Sequence, residues 1–169
     1  MGNNVRLNFM LLASALSCGA LAHSTPEEAV GSLFKALSHA PKEKPDIAKL
    51  KELFHTQAKI FGVHQANADP KLMAVSGAEF FTLLDKVPEK GFYECEVLRK
   101  VQVYDRFAHV YSLAETRFMK GQKEPDFTGV NSIQLYKVEN KWQILSLYYQ
   151  IENPSVAIDL NGAKSGTCL

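Results

Sequence analysis

The spacing of apolar positions divides this chain into a helical first half and a strand-rich second half. Thr25-Pro-Glu-Glu28 combines a capping residue, a proline suited to the first helical position and a glutamate that completes a capping box. Behind it Ala29, Val30, Leu33, Phe34 and Leu37 recur at helical spacing and define one apolar face. Pro41 to Pro45 is a polar break, after which a second helix begins near Asp46 and turns Ile47, Leu50, Leu53 and Phe54 inward. Ala58 to Val63 reads as a strand and Asn67 to Lys71 as a loop. Ser76-Gly-Ala-Glu79 repeats the capping-box pattern and opens a third helix through Phe80, Phe81, Leu83 and Leu84, with Pro88 and Gly91 ending that region.

From Phe92 onward the pattern is that of strands. Phe92 to Tyr104 and Phe107 to Met119 flank a two-residue turn at Asp105-Arg106, and Phe127 to Val138 and Lys141 to Ile151 flank another at Glu139-Asn140. The charged stretch Lys120 to Asp126, with Gly121 and Pro125, joins the two hairpins as an exposed loop. The order helix, helix, strand, helix and four antiparallel strands predicts an α+β domain with three N-terminal helices on one sheet face. Val97, Val101, Val103, Val110, Leu145, Leu147 and Tyr149 make the opposite face apolar in places, so it needs cover of its own. A second copy of the chain is the expected cover, giving a homodimer through the outer sheet face.

Composition sharpens the boundaries. With 46% hydrophobic residues in 169, the chain can bury a core without metal or disulfide support. Residues 1–22 stand apart: Arg6 is their only charge, Phe9 to Leu16 form a short apolar run, and Ala20-Leu21-Ala22 has the small-x-small form of a cleavage site. That is the pattern of a secretory signal peptide, too short in its apolar run to span a membrane. Cys18 offers a rival reading as a lipid-attachment cysteine, but Ala15-Leu16-Ser17 puts a large residue where such signals prefer a small one. Cleavage after Ala22 is therefore expected, leaving a periplasmic or secreted domain over 23–153 and a Gly/Ser-containing tail over 154–169.

Loss of the leader removes one of nineteen basic residues and none of eighteen acidic ones, so the mature chain is formally neutral. Without a basic run or an Arg/Lys cluster interleaved with aromatics, nucleic-acid binding has no electrostatic basis, and no membrane insertion is expected after cleavage. Cys95 and Cys168 remain; in an oxidising compartment they can form a disulfide tying the tail to the sheet, or stay as a buried and a loose thiol.

Four segments carry a family likeness: Glu52-Leu-Phe-His-Thr-Gln-Ala58; Phe107-Ala-His-Val-Tyr111 with Glu115 and Arg117; Gly129-Val-Asn-Ser-Ile-Gln-Leu135; and Lys141-Trp-Gln-Ile144. Together they resemble the nuclear transport factor 2-like superfamily, in its secreted SnoaL-like branch, over roughly Pro26 to Asn153. The resemblance implies a strongly bent sheet wrapped against helices into a cone with a deep pocket, often dimeric through the outer face. Members include ketosteroid isomerases, scytalone dehydratase, polyketide cyclases and many proteins with no known reaction, so fold does not settle function. After His55 the family pattern commonly continues with an acidic residue; Gln57 stands there, which puts a catalytic carboxylate at that point in doubt.

Unbroken ladders drawn from the two tight turns place Glu96 opposite Glu115, Glu94 opposite Arg117 and Asn131 opposite Tyr148. Closing the middle loop at Met119 and Phe127 sets Glu115 beside Asn131. One face then gathers Glu94, Glu96, Glu115, Arg117, Asn131, Tyr148 and Gln150 at one end, with Tyr111 farther along its wall. Like charges facing each other destabilise unless compensated, and the Arg117 fork can engage two carboxylates. The chemical reading is an acid/base pair, Glu96 and Glu115, with Glu94, Arg117, Asn131, Tyr148, Gln150 and Tyr111 contacting a small, partly apolar ligand, and His64 at the pocket mouth. It describes a binding protein or a cofactor-free lyase, isomerase or cyclase. The plainer reading is an ion-pair network that ties strands together in an accessory protein. No metal or cofactor is called for: there is no glycine-rich phosphate cradle, and Arg117 competes with any cation for the carboxylates.

The leader reading makes a direct prediction. N-terminal sequencing of the exported protein is expected to begin at His23; a lipid-modified chain beginning at Cys18 would overturn it.

Overall fold

The computed structural model describes residues 23–64 and 70–169; the leader, residues 1–22 with Cys18, lies outside the described residues. The elements are α1 (Pro26–Leu37), α2 (Ile47–Leu53), β1 (Phe54–His64), β2 (Lys71–Ser76), α3 (Gly77–Leu84), β3 (Tyr93–Tyr104), β4 (Phe107–Arg117), β5 (Phe127–Val138) and β6 (Lys141–Ile151). Both capping boxes form: Thr25 Oγ1 accepts from the Glu28 N–H at 3.2 Å, and Ser76 Oγ from the Glu79 N–H at 3.3 Å.

One sheet holds all six strands in the order β2-β1-β6-β5-β4-β3. It is mixed: β1 lies parallel to β6, and every other pairing is antiparallel. The parallel join follows from topology, because α3 and four strands intervene between β1 and β6 and no hairpin connects them. Strand β2 is absent from the sequence reading; it is a short, half-exposed edge strand without the strong alternation that marks the others.

The helices pack on the inner face, where Ala29, Val30, Leu33, Phe34, Leu50, Leu53 and Phe80 meet Ile60, Val110, Ile133, Leu135, Trp142, Ile144 and Leu147. A second, smaller apolar cluster lies on the outer face: Cys95, Val97 and Leu113, flanked by Leu98, Tyr111 and Val130. Its cover is the chain's own tail, through Ile158, Leu160 and Ala163. This half of the outer face is therefore filled intramolecularly rather than by a second copy. Cys95 and Cys168 are joined as a disulfide across 73 residues of sequence, a closure worth on the order of 4 kcal/mol on loop-entropy grounds.

Three departures from unbroken ladders redistribute the polar residues. The Tyr104–Phe107 turn pairs as expected, but the register slips at Val97, between Glu96 and Leu98. Beyond the slip Glu96 faces Ala114, Cys95 faces Glu115, Glu94 faces Thr116 and Tyr93 faces Arg117, so neither Glu96–Glu115 nor Glu94–Arg117 forms a cross-strand pair. The β4–β5 ladder closes at Thr116–Phe127, placing Glu115 across from Thr128 and Asn131 across from Ser112. The intervening loop is held by hydrogen bonds that stop the ladder early: Arg117 donates to the carbonyls of Gln122 and Lys123, and the Phe118 N–H to Asp126. That odd offset turns Glu115 and Arg117 to the face opposite Asn131. On β6 the register slips at Leu145, so Asn131 pairs with Tyr149 instead of Tyr148, and Gly129 with Ile151 instead of Gln150.

On the outer face Glu115 is almost fully buried at 2% exposure and Arg117 retains 8%. Arg117 Nη2 donates to Glu115 Oε2 at 2.8 Å, and the Gly166 N–H of the tail donates to the same oxygen at 2.9 Å. Burial pushes the Glu115 carboxyl up, but hydrogen bonds from Ser165, Arg117 and Gly166 outweigh it and hold the carboxyl below its ordinary range. A carboxyl lowered by folding contributes stability above its unfolded value, and that contribution is lost as pH falls through the folded one. Arg117→Ala strands a buried carboxylate and is expected to cost about 3–5 kcal/mol in chemical denaturation at pH 7. The deficit should shrink once acid protonates Glu115.

Candidate functional site

The inner face carries a cavity of about 360 Å³ between the helices and one end of the sheet. Leu33, Phe34 and Leu37 of α1, Phe80, Leu83 and Leu84 of α3, and Phe92, Phe127, Leu147 and Ile151 supply an apolar wall. Polar residues reach it from a few places: Glu94 on β3, Thr116 on β4, Asn131 on β5, Tyr149 and Gln150 on β6, and His39 and Lys86 from the connections after α1 and α3.

Glu94 is the group on which the cavity chemistry turns. It lies at the start of an edge strand whose backbone is held from outside: its N–H donates to Ser38 Oγ at 3.0 Å, and the preceding Phe92 exchanges backbone hydrogen bonds with His39. The Thr116 hydroxyl donates to its carboxylate from the neighbouring strand. Glu94 Oε2 is buried and has no hydrogen-bond partner among the described residues. Burial, reinforced by the nearby charge of Glu96, overcomes the Thr116 hydrogen bond and pushes this carboxyl up to about 8. A carboxyl raised this far favours its acid form at neutral pH, with Thr116 donating to it and Oε2 the oxygen left without a protein partner.

Glu96 also points inward but is spent on another contact. Its carboxylate binds Arg99 through both Nε, at 2.9 Å, and Nη2. In a regular strand residues three apart face opposite ways; the slip at Val97 brings Glu96 and Arg99 to the same side. Arg99 Nη2 lies close beneath Gly31 of α1, so this pair fills the space under the helix and stays out of the cavity wall.

The remaining sequence-derived candidates separate accordingly. Asn131 is buried and lines the cavity with Glu94. Glu115 and Arg117 lie under the tail on the outer face, and Tyr111 packs there beside Leu113. Tyr148 is exposed and donates its hydroxyl to Gln150 Oε1 at 3.0 Å; Gln150 lines the cavity, whereas Tyr148 does not. His64 ends β1 opposite Lys71, and its side chain lies outside the described residues. The pair Glu96 and Glu115 is thus not brought together, and the acid in the cavity is Glu94.

Thr116 and Tyr149 are cavity residues that the sequence reading did not pick out as such. For Tyr149 a signal existed in Gly62: its ring crosses that residue in the adjacent strand, where an added methyl would overlap the ring. A glycine inside an apolar strand marks such a close approach. Tyr149 is half-buried, and burial raises its phenol above the ordinary value. Among the described residues no group of three His, Cys, Asp or Glu side chains is placed to hold a metal ion.

No family model and no curated protein matches this chain. Solved structures do match, at low identity, and they share its fold. An NTF2-like protein of unknown function from Shewanella baltica is 22% identical over 74% of this chain and 91% of its own, with a TM-score of 0.51. A candidate ketosteroid isomerase from Parabacteroides distasonis is 15% identical over 78% and 90% of the two chains, with a TM-score of 0.54. The association domain of C. elegans CaMKII is 17% identical over 73% and 90%, with a TM-score of 0.53. The fold is the NTF2-like, cystatin-like cone.

The raised Glu94 carboxyl has a signed consequence for stability. Its folded value lies above the unfolded one, so its stabilising share is complete below pH 4.5 and is lost as pH rises towards about 8. Glu94→Gln is expected to flatten that decline, which runs at roughly 1.4 kcal/mol per pH unit at its steepest. Denaturation midpoints taken from pH 5 to pH 9 (about the span of the titration) check it; parallel curves for both proteins would refute the buried acid.

Proposed function

We propose that this chain, an NTF2-like fold, is an exported binding protein for a small, neutral, mostly apolar molecule that presents one oxygen acceptor to Glu94. The observation that carries the reading is the partnerless Glu94 Oε2 at a mostly apolar cavity wall. A buried donor without an acceptor costs free energy, and a carbonyl, ether or hydroxyl oxygen on the ligand would remove that cost. The cavity of about 360 Å³ falls in the range of small-molecule sites. Leu33, Phe34, Phe80, Leu84 and Phe127 would supply affinity, while Glu94, Thr116 and Asn131 fix orientation. Export is supported by the leader pattern of residues 1–22 and by the Cys95–Cys168 bond, which suits an oxidising compartment.

A second reading has a specific observation behind it. A carboxyl titrating near 8 is poised to give and take a proton close to neutral pH, as a cofactor-free isomerase, lyase or cyclase requires. In that reading Glu94 replaces Glu96 and Glu115 as the acid/base, and Asn131 steadies the charge that develops on the substrate oxygen. Association between copies would use the half of the outer face that the tail leaves open, where Tyr104, Phe107, Tyr136 and Tyr148 are exposed.

Native mass spectrometry of the protein purified from its own cell envelope is expected to show one bound small molecule. Ala114→Phe, which fills the cavity, should displace it; a ligand retained by that variant would place binding elsewhere. Glu94→Gln separates the two readings once the ligand is known. It keeps a neutral hydrogen-bonding group, so binding survives within a few-fold, whereas proton transfer would fall by about 10²–10⁴.

A further inference from the structure

We propose that the C-terminal segment is a thiol-releasable clamp that holds the first turns of β3, and with them Glu94, against the cavity. The inference concerns the placement of Glu94 and stands whichever molecule the cavity takes. Strand β3 is an edge strand, paired with β4 alone, and its ladder is interrupted at Val97 directly after the residues that matter. Such a strand end is a weak place to mount a buried acid unless something else fixes it.

Two supports do so. On the N-terminal side Ser38 accepts from the Glu94 N–H, and His39 bridges Phe92. On its outer side the strand is held by the tail. The Leu169 N–H donates to the Glu96 carbonyl at 2.9 Å, closing the free edge of the strand, and Cys168 is bonded to Cys95, the residue between the two glutamates. Because strand side chains alternate, the bond pulls on the outer face at the same point where Glu94 and Glu96 project inward. The tail's other attachments lie farther from Glu94: Ile158, Leu160 and Ala163 on the outer cluster, the Ile158 N–H on Glu152, and Ser165 and Gly166 on Glu115. Most of residues 154–169 are exposed and without regular structure, and the disulfide with the Leu169 hydrogen bond is what ties the end of the tail to β3.

The bond is asymmetric in access. Cys168 is exposed, whereas Cys95 is 7% exposed. A dithiol reductant attacks as a thiolate at the Cys168 sulfur, forming a mixed disulfide and expelling the Cys95 thiolate, which takes up a proton. The reductant's second thiol then displaces Cys168 and closes into its own cyclic disulfide, so two electrons and two protons pass to the protein. Leu169 is then free to leave Glu96, water gains the edge of β3, and the Glu94 carboxyl loses part of its isolation. The groups around that carboxyl are Thr116 on β4, Glu96 with its Arg99 partner on β3, and the cavity-lining His39, Lys86, Asn131 and Tyr149.

The test compares the full mature chain oxidised, reduced with dithiothreitol, and as Cys168→Ser. Carbon NMR follows the Glu94 carboxyl through pH, and amide exchange follows Glu94 and Leu169. In the oxidised protein Glu94 is expected to titrate near 8. Reduction should bring the midpoint to about 7 or below, and speed exchange at the Glu94 amide by about tenfold or more. Thermal stability falls whether the tail is a clamp or mere padding, so it does not decide. Release of the Leu169 amide with Glu94 titration and exchange unchanged would overturn the proposal, and so would a Leu169 amide that stays protected after reduction. If oxidised Glu94 titrates in the ordinary carboxyl range, the acid reading of the cavity fails, and the clamp is judged on amide exchange alone. Should Cys168→Ser not fold, reduction and reoxidation of the natural protein carry the same comparison.

Discussion

The slip of one residue at Val97 governs the arrangement of this molecule. In an unbroken β3–β4 ladder Glu94 would face Arg117 and Glu96 would face Glu115, joining the acids and the base into one network. With Val97 left between paired neighbours, Glu94 instead meets Thr116, and Glu96 turns to Arg99. The consequence is a division of labour between the two glutamates flanking Cys95. One is satisfied under α1; the other is left at the cavity with a single protein hydrogen bond and a proton held by desolvation.

The two sheet faces solve the same problem by different means. The inner face is covered by three helices over a conventional apolar core, and the cavity remains where α1, α3 and the sheet end diverge. The outer face is covered in part by an irregular tail that brings few apolar groups, and its polar contacts compensate. Glu115 and Arg117, sealed beneath it, bind each other, the tail's Gly166 and the carbonyls of the 118–126 loop. A buried ion pair of this kind adds little net stability over an apolar pair, but it penalises any arrangement that separates its members. It therefore specifies where the tail and the loop lie.

Much of the secondary structure was legible because it rests on local chemistry. Both capping boxes, the Asp105-Arg106 and Glu139-Asn140 turns and the alternation of β5 lie within short windows, and each behaves in the fold as its residues demand. The site was legible only in its membership on β3 and β5: Glu94 and Asn131 do share the inner face. Glu115, Arg117, Tyr111 and Tyr148 were drawn onto that face by ladders assumed to be regular. A slip at Val97, another at Leu145 and an early closure at Thr116 moved them away. Nothing local announces those events, since a bulge is set by the curvature that the whole sheet must adopt.

Residue type and spacing by themselves determined the class of fold, the helix starts, the hairpin turns and the supply of acids in the second half of the chain. They also left two cysteines able to meet. Which acid is isolated, which is paired and what covers the outer face were decided only in three dimensions. The physical reason is the two-residue period of a strand: one added residue or one shifted closure exchanges its faces, and with them the environment that sets each carboxyl's proton.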